Sequence, residues 1–486
     1  MQSIGDFPGR VSGVSRRREG AREMTTQGAN AAERARAAEV EDAQPRRPLG
    51  GRAANGRIGV VALAALCAVY VALATLPAAR GSNLVLATAG GSPGWLLGPL
   101  RFAGTSGANG PLGGPLFYAG LWAALLLYAV VLLRAADVSR RVAIWTIAGL
   151  HLLFLLAPPL LSQDVFSYIA YARLGANHGL DPYTHSPLAI PGDAIFPFAG
   201  SKGATSVYGP AFTLLTYPLA SLGVAGAFWT LKAVAALASL GVVALTWRGA
   251  ELLGRAPVLP ALVVGLNPHL LVHDVAGAHN ETLVVLVTMA GVVTFLAGRP
   301  RGGAALATAA AGLKASAGLV VPYLVAAARP RVRAVLIATV ATSAAIALLA
   351  LVGFGTHALD ALGLLNSNQG RTSRWSFPYK TAQLLGAVLP GSRMDYRDAV
   401  RAVYAVAFAG VFAWTLLRTW RGADPIRMAG WATLAIMIAS AWLVPWYVLW
   451  LLPLAALAAD RRLVWATVAL CAWMLPIAIP LGTFGY

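Results

Sequence analysis

Three groups of residues in this chain combine types and spacing that could do chemistry. The first centres on Asp164, in Ser162-Gln163-Asp164-Val165-Phe166-Ser167-Tyr168, directly after an apolar run. An acid at such an edge serves either as the cap of the helix beginning there or, partly desolvated yet reachable by substrate, as a general base. Gly179-Leu180-Asp181-Pro182-Tyr183 and Val207-Tyr208-Gly209-Pro210 come next. Their Gly, Asp and Pro are turn chemistry, and Tyr183 and Tyr208 are suited to interfacial anchoring or to lining a site. The second group is 267–281, Asn-Pro-His-Leu-Leu-Val-His-Asp-Val-Ala-Gly-Ala-His-Asn-Glu, dense in polar groups between two apolar runs. His269 and His273 have the i, i+4 spacing of a metal pair, but no HExxH is present and a third ligand would have to come from Asp274 or His279. His279, Asn280 and Glu281 read better as polar groups at a helix start, where an anion is welcome.

The third group is cationic. Lys314 lies within an apolar run, and Arg371, Arg374 and Lys380 lie in a polar loop. A lysine so placed snorkels, pairs with a carboxylate, or holds a phosphate as a point charge. Arg371-Thr372-Ser373-Arg374-Trp375 joins forked donors to an aromatic face, a mixture suited to phosphate and sugar or simply to pairing within the loop. Trp442, Trp446, Tyr447 and Trp450 read most simply as an aromatic belt at the membrane surface. No Walker-type loop, nucleophile elbow or Rossmann fingerprint accompanies these groups.

The elements that must position them are membrane helices. Of 486 residues, 58% are hydrophobic and only 12% charged, and the mean hydropathy is +0.66. Soluble domains carry about twice that share of charge, so the fold class is all-α and polytopic. The net charge of +19 comes from 38 basic and 19 acidic residues. The basic residues cluster between apolar runs rather than forming a stripe with aromatics, so a nucleic-acid partner is not expected. Residues 1–57, with eleven arginines and almost no large apolar side chains, are expected to be a disordered cytoplasmic tail that holds its end of the chain inside. Membrane lipids, anionic ones included, surround the rest. Cys67 and Cys471 both fall in apolar runs and read as packing residues.

Residues 58–486 form the membrane domain. Its apolar runs lie near 58–79, 115–133, 142–161, 210–222, 227–248, 258–276, 281–298, 304–328, 334–352, 399–417, 426–444, 446–459 and 463–480. If all thirteen cross, Arg248/Arg255 and Arg299/Arg301 land outside, against the positive-inside rule. If 210–222 and 304–328 dip in and return, eleven crossings remain and every arginine cluster falls inside. Irregular backbone at membrane depth requires cover by protein or a watery cavity. The outer loops 162–209 and 353–398 then share one extracytoplasmic face with 277–280, and residues 165–174 are expected to form a helix lying in the interface.

In order and spacing, the motifs at 162–168, 179–183, 208–210, 267–269, 277–280, Leu313-Lys314-Ala315 and Trp446-Tyr447-Val448-Leu449-Trp450 resemble those of the actinobacterial polyprenol-phosphate-mannose-dependent α-1,6-mannosyltransferases. The resemblance implies a GT-C fold, a plasma-membrane enzyme and a site on the extracytoplasmic side. It implies a polyprenyl-phosphate-mannose donor and a lipid-linked mannan acceptor, with Asp164 as base and no cofactor or metal. The donor phosphate would meet Lys314, His279, Asn280 or the Arg371/Arg374 pair, and Tyr183, Tyr208 and Lys380 would complete the substrate site. Glu281 stands where the family pattern has Asp. Transfer of arabinose or glucose is the chemical alternative. A transporter or flippase is another, although the inverted repeats such proteins carry are not visible in the sequence.

Overall fold

Helices broken by glycine and proline, rather than thirteen unbroken rods, carry the apolar runs. The structure, a computed structural model, describes residues 52–79, 82, 84–85, 93–102, 113–359 and 372–478. Residues 1–51 of the tail expected over 1–57, and Arg371, lie outside the described residues, while 52–57 form the start of the first helix.

In chain order, α1 (Arg52–Thr75), α2 (Gly113–Leu133), α3 (Arg140–Leu156) and α4 (Asp164–His178) precede the first long loop. Then come α5 (Pro210–Thr216), α6 (Gly223–Leu252) and α7 (Val258–Gly265), a single π-helical turn (Leu270–Val275) and α8 (Glu281–Leu296). Next are α9 (Pro300–Leu313), a 3-10 turn (Ala315–Val320), α10 (Val321–Ala327) and α11 (Val332–Phe354). The last part holds α12 (Phe377–Val388), α13 (Arg393–Trp420), α14 (Pro425–Ala439), a 3-10 turn (Pro445–Trp450), α15 (Leu452–Leu457) and α16 (Arg461–Met474). Among the described residues every regular element is helical. Arg57–Ala78, Gly113–Leu133, Pro210–Leu252, Val332–His357 and Arg393–Trp420 are long and apolar enough to cross a membrane, and shorter apolar helices supplement them. The chain is an all-α polytopic membrane protein.

The arginine clusters gather at one end of these helices. Asp137, beside Arg134, accepts the Gly59 N–H at 3.1 Å. Arg140 covers the Trp247 ring, Arg255 donates to the Leu457 carbonyl, Trp431 donates to Asp460, and Arg329 covers Trp420 at 3.7 Å. From this end α3, α7, α14 and α16 run toward the segments that hold the chemical groups.

The run at 304–328 follows the expected dip. Phe295, Ala304, Val325, Ala328 and Val335 pack together at the arginine end, so the run starts and finishes there, with Lys314 at its tip. The fourteen residues of α9 reach about 21 Å at 1.5 Å per residue. Close packing guides the approach: a Cβ on Gly303 would lie 2.7 Å from the Gly291 carbonyl, and one on Gly291 would lie 2.7 Å from the Ala307 nitrogen. Small residues let two membrane helices approach backbone to backbone, and here they hold α9 against α8. The run at 210–222 stays near the opposite end. The Gly209 N–H donates to the Leu313 carbonyl (2.9 Å), and Arg173 of α4 donates to the Ala220 carbonyl (3.3 Å).

Irregular backbone is covered by protein. Residues 260–282 are all buried, and the carbonyls freed where α7 ends take phenol donors, Tyr128 on Val263 (2.6 Å) and Tyr70 on Leu266 (2.7 Å). Such partners are what a break at membrane depth needs. The expectation for 165–174 is corrected. Val165, Phe166, Ser167, Tyr168, Ile169, Ala170, Tyr171, Ala172 and Leu174 of α4 are buried. Phe166 stacks on Phe228 (5.6 Å, 12°) and Tyr168 meets Tyr208 edge-on (4.8 Å). The helix is enclosed by loop and neighbour rather than lying with one face in water, because aromatic residues occupy several of its faces.

Candidate active site

Asp164 is the first residue of α4, and Gln163 holds the N-cap position. The carboxylate therefore adds a negative charge at the positive end of the helix dipole, and its side chain stays 36% exposed. His279 approaches from the other polar segment. The chain leaves the π-helical turn through Gly277, where a Cβ would lie 2.2 Å from the His273 carbonyl, and through Ala278 at φ 55. This delivers His279 Nδ1 to 3.6 Å from Asp164 Oδ2 and 3.8 Å from Glu281 Oε2. Both separations are longer than hydrogen bonds. The imidazole stacks on Trp446 at 4.0 Å and 22°.

Glu281 Oε1 pairs in turn with Lys314 Nζ. The ammonium faces three rings, at 5.1 Å from Tyr447, 5.8 Å from Trp450 and 5.9 Å from Tyr208, within cation–π range. The result is a row, Asp164–His279–Glu281–Lys314, with a half-exposed acid at one end and a cation among aromatic faces at the other. Asn280 stands beside it: its backbone N–H donates to Tyr168 Oη (3.4 Å), and its Oδ1 lies 3.5 Å from the same hydroxyl. Both ring nitrogens of His273, both oxygens of Asp274, Asn280 Nδ2 and Trp450 Nε1 are buried without a hydrogen-bond partner among the described residues. Each such group costs about 1–3 kcal/mol, and concentrations of them are typical of working sites rather than packing cores.

The structure thus brings together Asp164, His279, Asn280, Lys314 and Tyr208 of the residues singled out in the sequence. Tyr183 supports from behind: its hydroxyl donates to the Tyr208 carbonyl (2.8 Å) and lies 3.1 Å from Thr213 Oγ1. Lys380 sits 4.1 Å over the Trp375 ring and donates to Gln383, so its contacts are local. Arg374 is exposed, and Arg371 lies outside the described residues. Arg374 lies in the loop before α12, whereas Lys380 stands in the first turn of α12 itself rather than in the expected loop. This segment docks at the same end through Ser373 N–H on the Ala441 carbonyl (2.9 Å) and Phe377 stacked on Trp473 (4.8 Å).

Trp446 corrects the aromatic-belt reading. It is 8% exposed and serves as the floor under His279 rather than as a membrane anchor. The His269/His273 pair is stacked at 5.3 Å, with His269 Nε2 on the Cys471 carbonyl at 2.9 Å. Sequence reasoning weighed Asp274 only as a third metal ligand, and it missed Tyr168 and the partnership of Glu281 with Lys314. The only signal for the last was that both charges sit at apolar helix ends. Cys67 and Cys471 are free, and Cys471 is buried.

Asp193 was also missed. It accepts from Arg173 (2.7 Å), His178 (2.8 Å) and the Ile195 N–H (2.9 Å), tying the loop to α4. Burial works against the carboxylate, but these three donors outweigh it and hold its pKa down to about 2. A carboxyl whose folded pKa lies below its unfolded value of about 3.9 contributes stability that is complete above about pH 4 and is lost as pH falls toward 2. Asp193→Asn is expected to remove about 2 kcal/mol at neutral pH. Faster proteolysis within 179–209 and a lower Tm in detergent would register it.

Comparison with known proteins bears on this geometry. Residues 72–330 match the family described as Alpha-(1->6)-mannopyranosyltransferase, N-terminal domain, and 381–486 match the MptB C-terminal domain. Alpha-(1->6)-mannopyranosyltransferase A of Mycobacterium tuberculosis is 30% identical over 358 residues, 68% of this chain and 68% of its own length. A protein of Mycolicibacterium smegmatis named a probable alpha-(1->6)-mannopyranosyltransferase is 27% identical over 403 residues, 72% of this chain and 69% of its own. Alpha-(1->6)-mannopyranosyltransferase A of Corynebacterium glutamicum is 30% identical over 175 residues, 35% of each chain. No solved structure matches. The first matched segment holds the whole row from Asp164 to Lys314, the second holds Trp446 beneath it, and the chain belongs to the alpha-(1->6)-mannopyranosyltransferase family of membrane glycosyltransferases.

Proposed function

We propose that the chain transfers mannose from a polyprenyl-phosphate-mannose donor to a lipid-linked mannan acceptor, forming an α-1,6 linkage at the extracytoplasmic face of the plasma membrane. The observation that carries this reading is the half-exposed Asp164 carboxylate at the end of the helices away from the arginines, joined through His279 and Glu281 to Lys314. The relatives' names supply the linkage and the sugar. A site away from the cytoplasm has no access to nucleotide sugars, which favours a donor carried in the membrane. The arginine-rich end and the tail 1–57 then face the cytoplasm.

In the proposed step, Asp164 accepts the proton of the acceptor 6-hydroxyl as that oxygen attacks the anomeric carbon. The bond from that carbon to the phosphate oxygen breaks on the opposite side, and polyprenyl phosphate leaves with the bonding pair. A β-linked donor gives an α-linked product, which is inversion by single displacement. Lys314 supplies positive charge where the leaving phosphate gains negative charge, and the Tyr208, Tyr447 and Trp450 faces exclude water around it. Tyr183 keeps Tyr208 in place. Arg374, an exposed cation beside the docked Ser373, is assigned to substrate binding rather than to the step itself, and the 58–486 region as a whole is the transferase domain. Neither cofactor nor metal enters the step.

The test is transfer by the purified full chain in lipid nanodiscs with a short α-mannoside acceptor. Polyprenyl-phosphate-mannose is expected to give an α-1,6 product, whereas GDP-mannose, polyprenyl-phosphate-arabinose and polyprenyl-phosphate-glucose are expected to give none. Product from another carrier-linked sugar reassigns the donor. Movement of lipid-linked sugar across vesicles without a new glycosidic bond replaces transfer with transport.

A further inference from the structure

Lys232 lies in the middle of an apolar stretch of α6, and its side chain is completely buried. Its ammonium donates to three main-chain carbonyls: Phe154 at 3.1 Å, Ala157, and Ala276 at 3.2 Å. An ammonium has three donors, and all three are used. Phe154 and Ala157 belong to the last turn of α3 and its C-cap, and Ala276 is the C-cap of the π-helical turn. Two helix C-termini, each the negative end of a row of peptide dipoles, therefore share one cation. The rings of Phe228 and Trp229 flank it at 5.9 and 5.4 Å.

The segments that leave those two C-termini explain why a charge sits here. Residues 158–163 lead from α3 to Asp164, and residues 277–278 lead from the π-helical turn to His279. Each short link contains a non-glycine residue in the left-handed region, Leu161 at φ 62 and Ala278 at φ 55. Backbone held there costs about 1–3 kcal/mol and persists only where surrounding structure over-determines it. Lys232 bolts down the starting point of both strained links. It touches none of the four residues in the row, yet it fixes how the segments carrying Asp164 and His279 face one another.

We propose that Lys232 is a positioning residue for transfer: its ammonium clamps the C-termini of α3 and the π-helical turn so that Asp164 and His279 meet at working distance. This rests on the reading of Asp164 as the base. A misplacement of about 1 Å at a reacting group costs on the order of 100-fold in rate. Lys232→Met, close in length but unable to donate, is expected to lower kcat by about that factor, with the donor KM changed by less than about twofold, because the cation among the aromatic faces is untouched.

The deciding experiment is a double-mutant cycle on transfer by the full chain in nanodiscs, pairing Lys232→Met with His279→Ala. If Lys232 acts through the His279 link, the second substitution adds little to the first, and the pair falls well short of the product of the two single losses. Multiplicative losses, a rise in donor KM alone, or wild-type kcat in Lys232→Met overturn the proposal. Where Lys232→Met does not accumulate in the membrane, Lys232→Gln, which keeps two donors, carries the same cycle. Failure of both variants to accumulate assigns Lys232 to folding and overturns the positioning role. Asp164→Asn run in parallel separates the two readings: full activity there removes the base assignment, while coupling between Lys232 and His279 is read independently of it.

Discussion

Asp164→Asn is expected to lower mannosyl transfer by about 10²–10⁴-fold, the range a positioned general base contributes, with little change in folding. The asparagine is isosteric, keeps a dipole at the start of α4 and can still face His279, but it cannot accept the hydroxyl proton. Because Gln163 holds the cap position, the carboxylate is not the cap of α4, and the charge it places at the helix start is worth about 0.3–1 kcal/mol. The two roles open to an acid at this edge therefore separate in one measurement. A base predicts a collapse of kcat at nearly unchanged Tm, while a merely structural acid predicts a small drop in Tm and near-normal kcat. The measurement is initial rate against acceptor concentration in nanodiscs, beside thermal unfolding of the same preparation. Asp164→Glu, which restores the charge with the oxygen displaced by about one bond, is expected to fall between wild type and Asn.

Much of the architecture was legible because arginine is read by the membrane. The rule that keeps arginine on one side forced 210–222 and 304–328 to return to the side they came from. The packing of Phe295, Ala304, Val325, Ala328 and Val335 puts both ends of 304–328 together. That pattern could not say how deep the second dip runs, since depth depends on how closely α8 and α9 approach, and that is decided by Gly291 and Gly303 meeting across the interface. Without the depth, Lys314 had no partner, and its pairing with Glu281 was invisible. Trp446 went to the wrong class for a related reason. Tryptophan is enriched at interfaces, and composition does not distinguish a ring facing lipid headgroups from one stacked on a histidine. Lys232 left even less trace, because carbonyls are present at every position and a lysine that binds only carbonyls needs no complementary residue.

Lys314 carries the second large effect, and the buried Glu281 makes it testable. Lys314→Met leaves the Glu281 carboxylate without its counter-charge where both are shielded from water, a situation that costs about 3–5 kcal/mol. The same change removes the cation proposed to face the leaving phosphate, and loss of one such donor typically costs about 10²–10³ in kcat. Activity alone therefore cannot tell misfolding from lost chemistry. Adding Glu281→Gln to Lys314→Met removes the orphaned charge, so the double variant is expected to regain most of the lost Tm, since deleting both members of a buried pair is often nearly neutral. If Lys314 acts on the donor, transfer stays down by at least about 100-fold in that restored protein. If its only task is to neutralise Glu281, transfer returns together with Tm, and the phosphate role passes to another cation of the site. Glu281→Gln alone sharpens the reading, because it frees Lys314 from its carboxylate partner. The freed ammonium is expected to hold polyprenyl phosphate more tightly, so that product inhibition by that lipid strengthens while the wild-type chain, in which Glu281 competes for the same ammonium, releases it more readily.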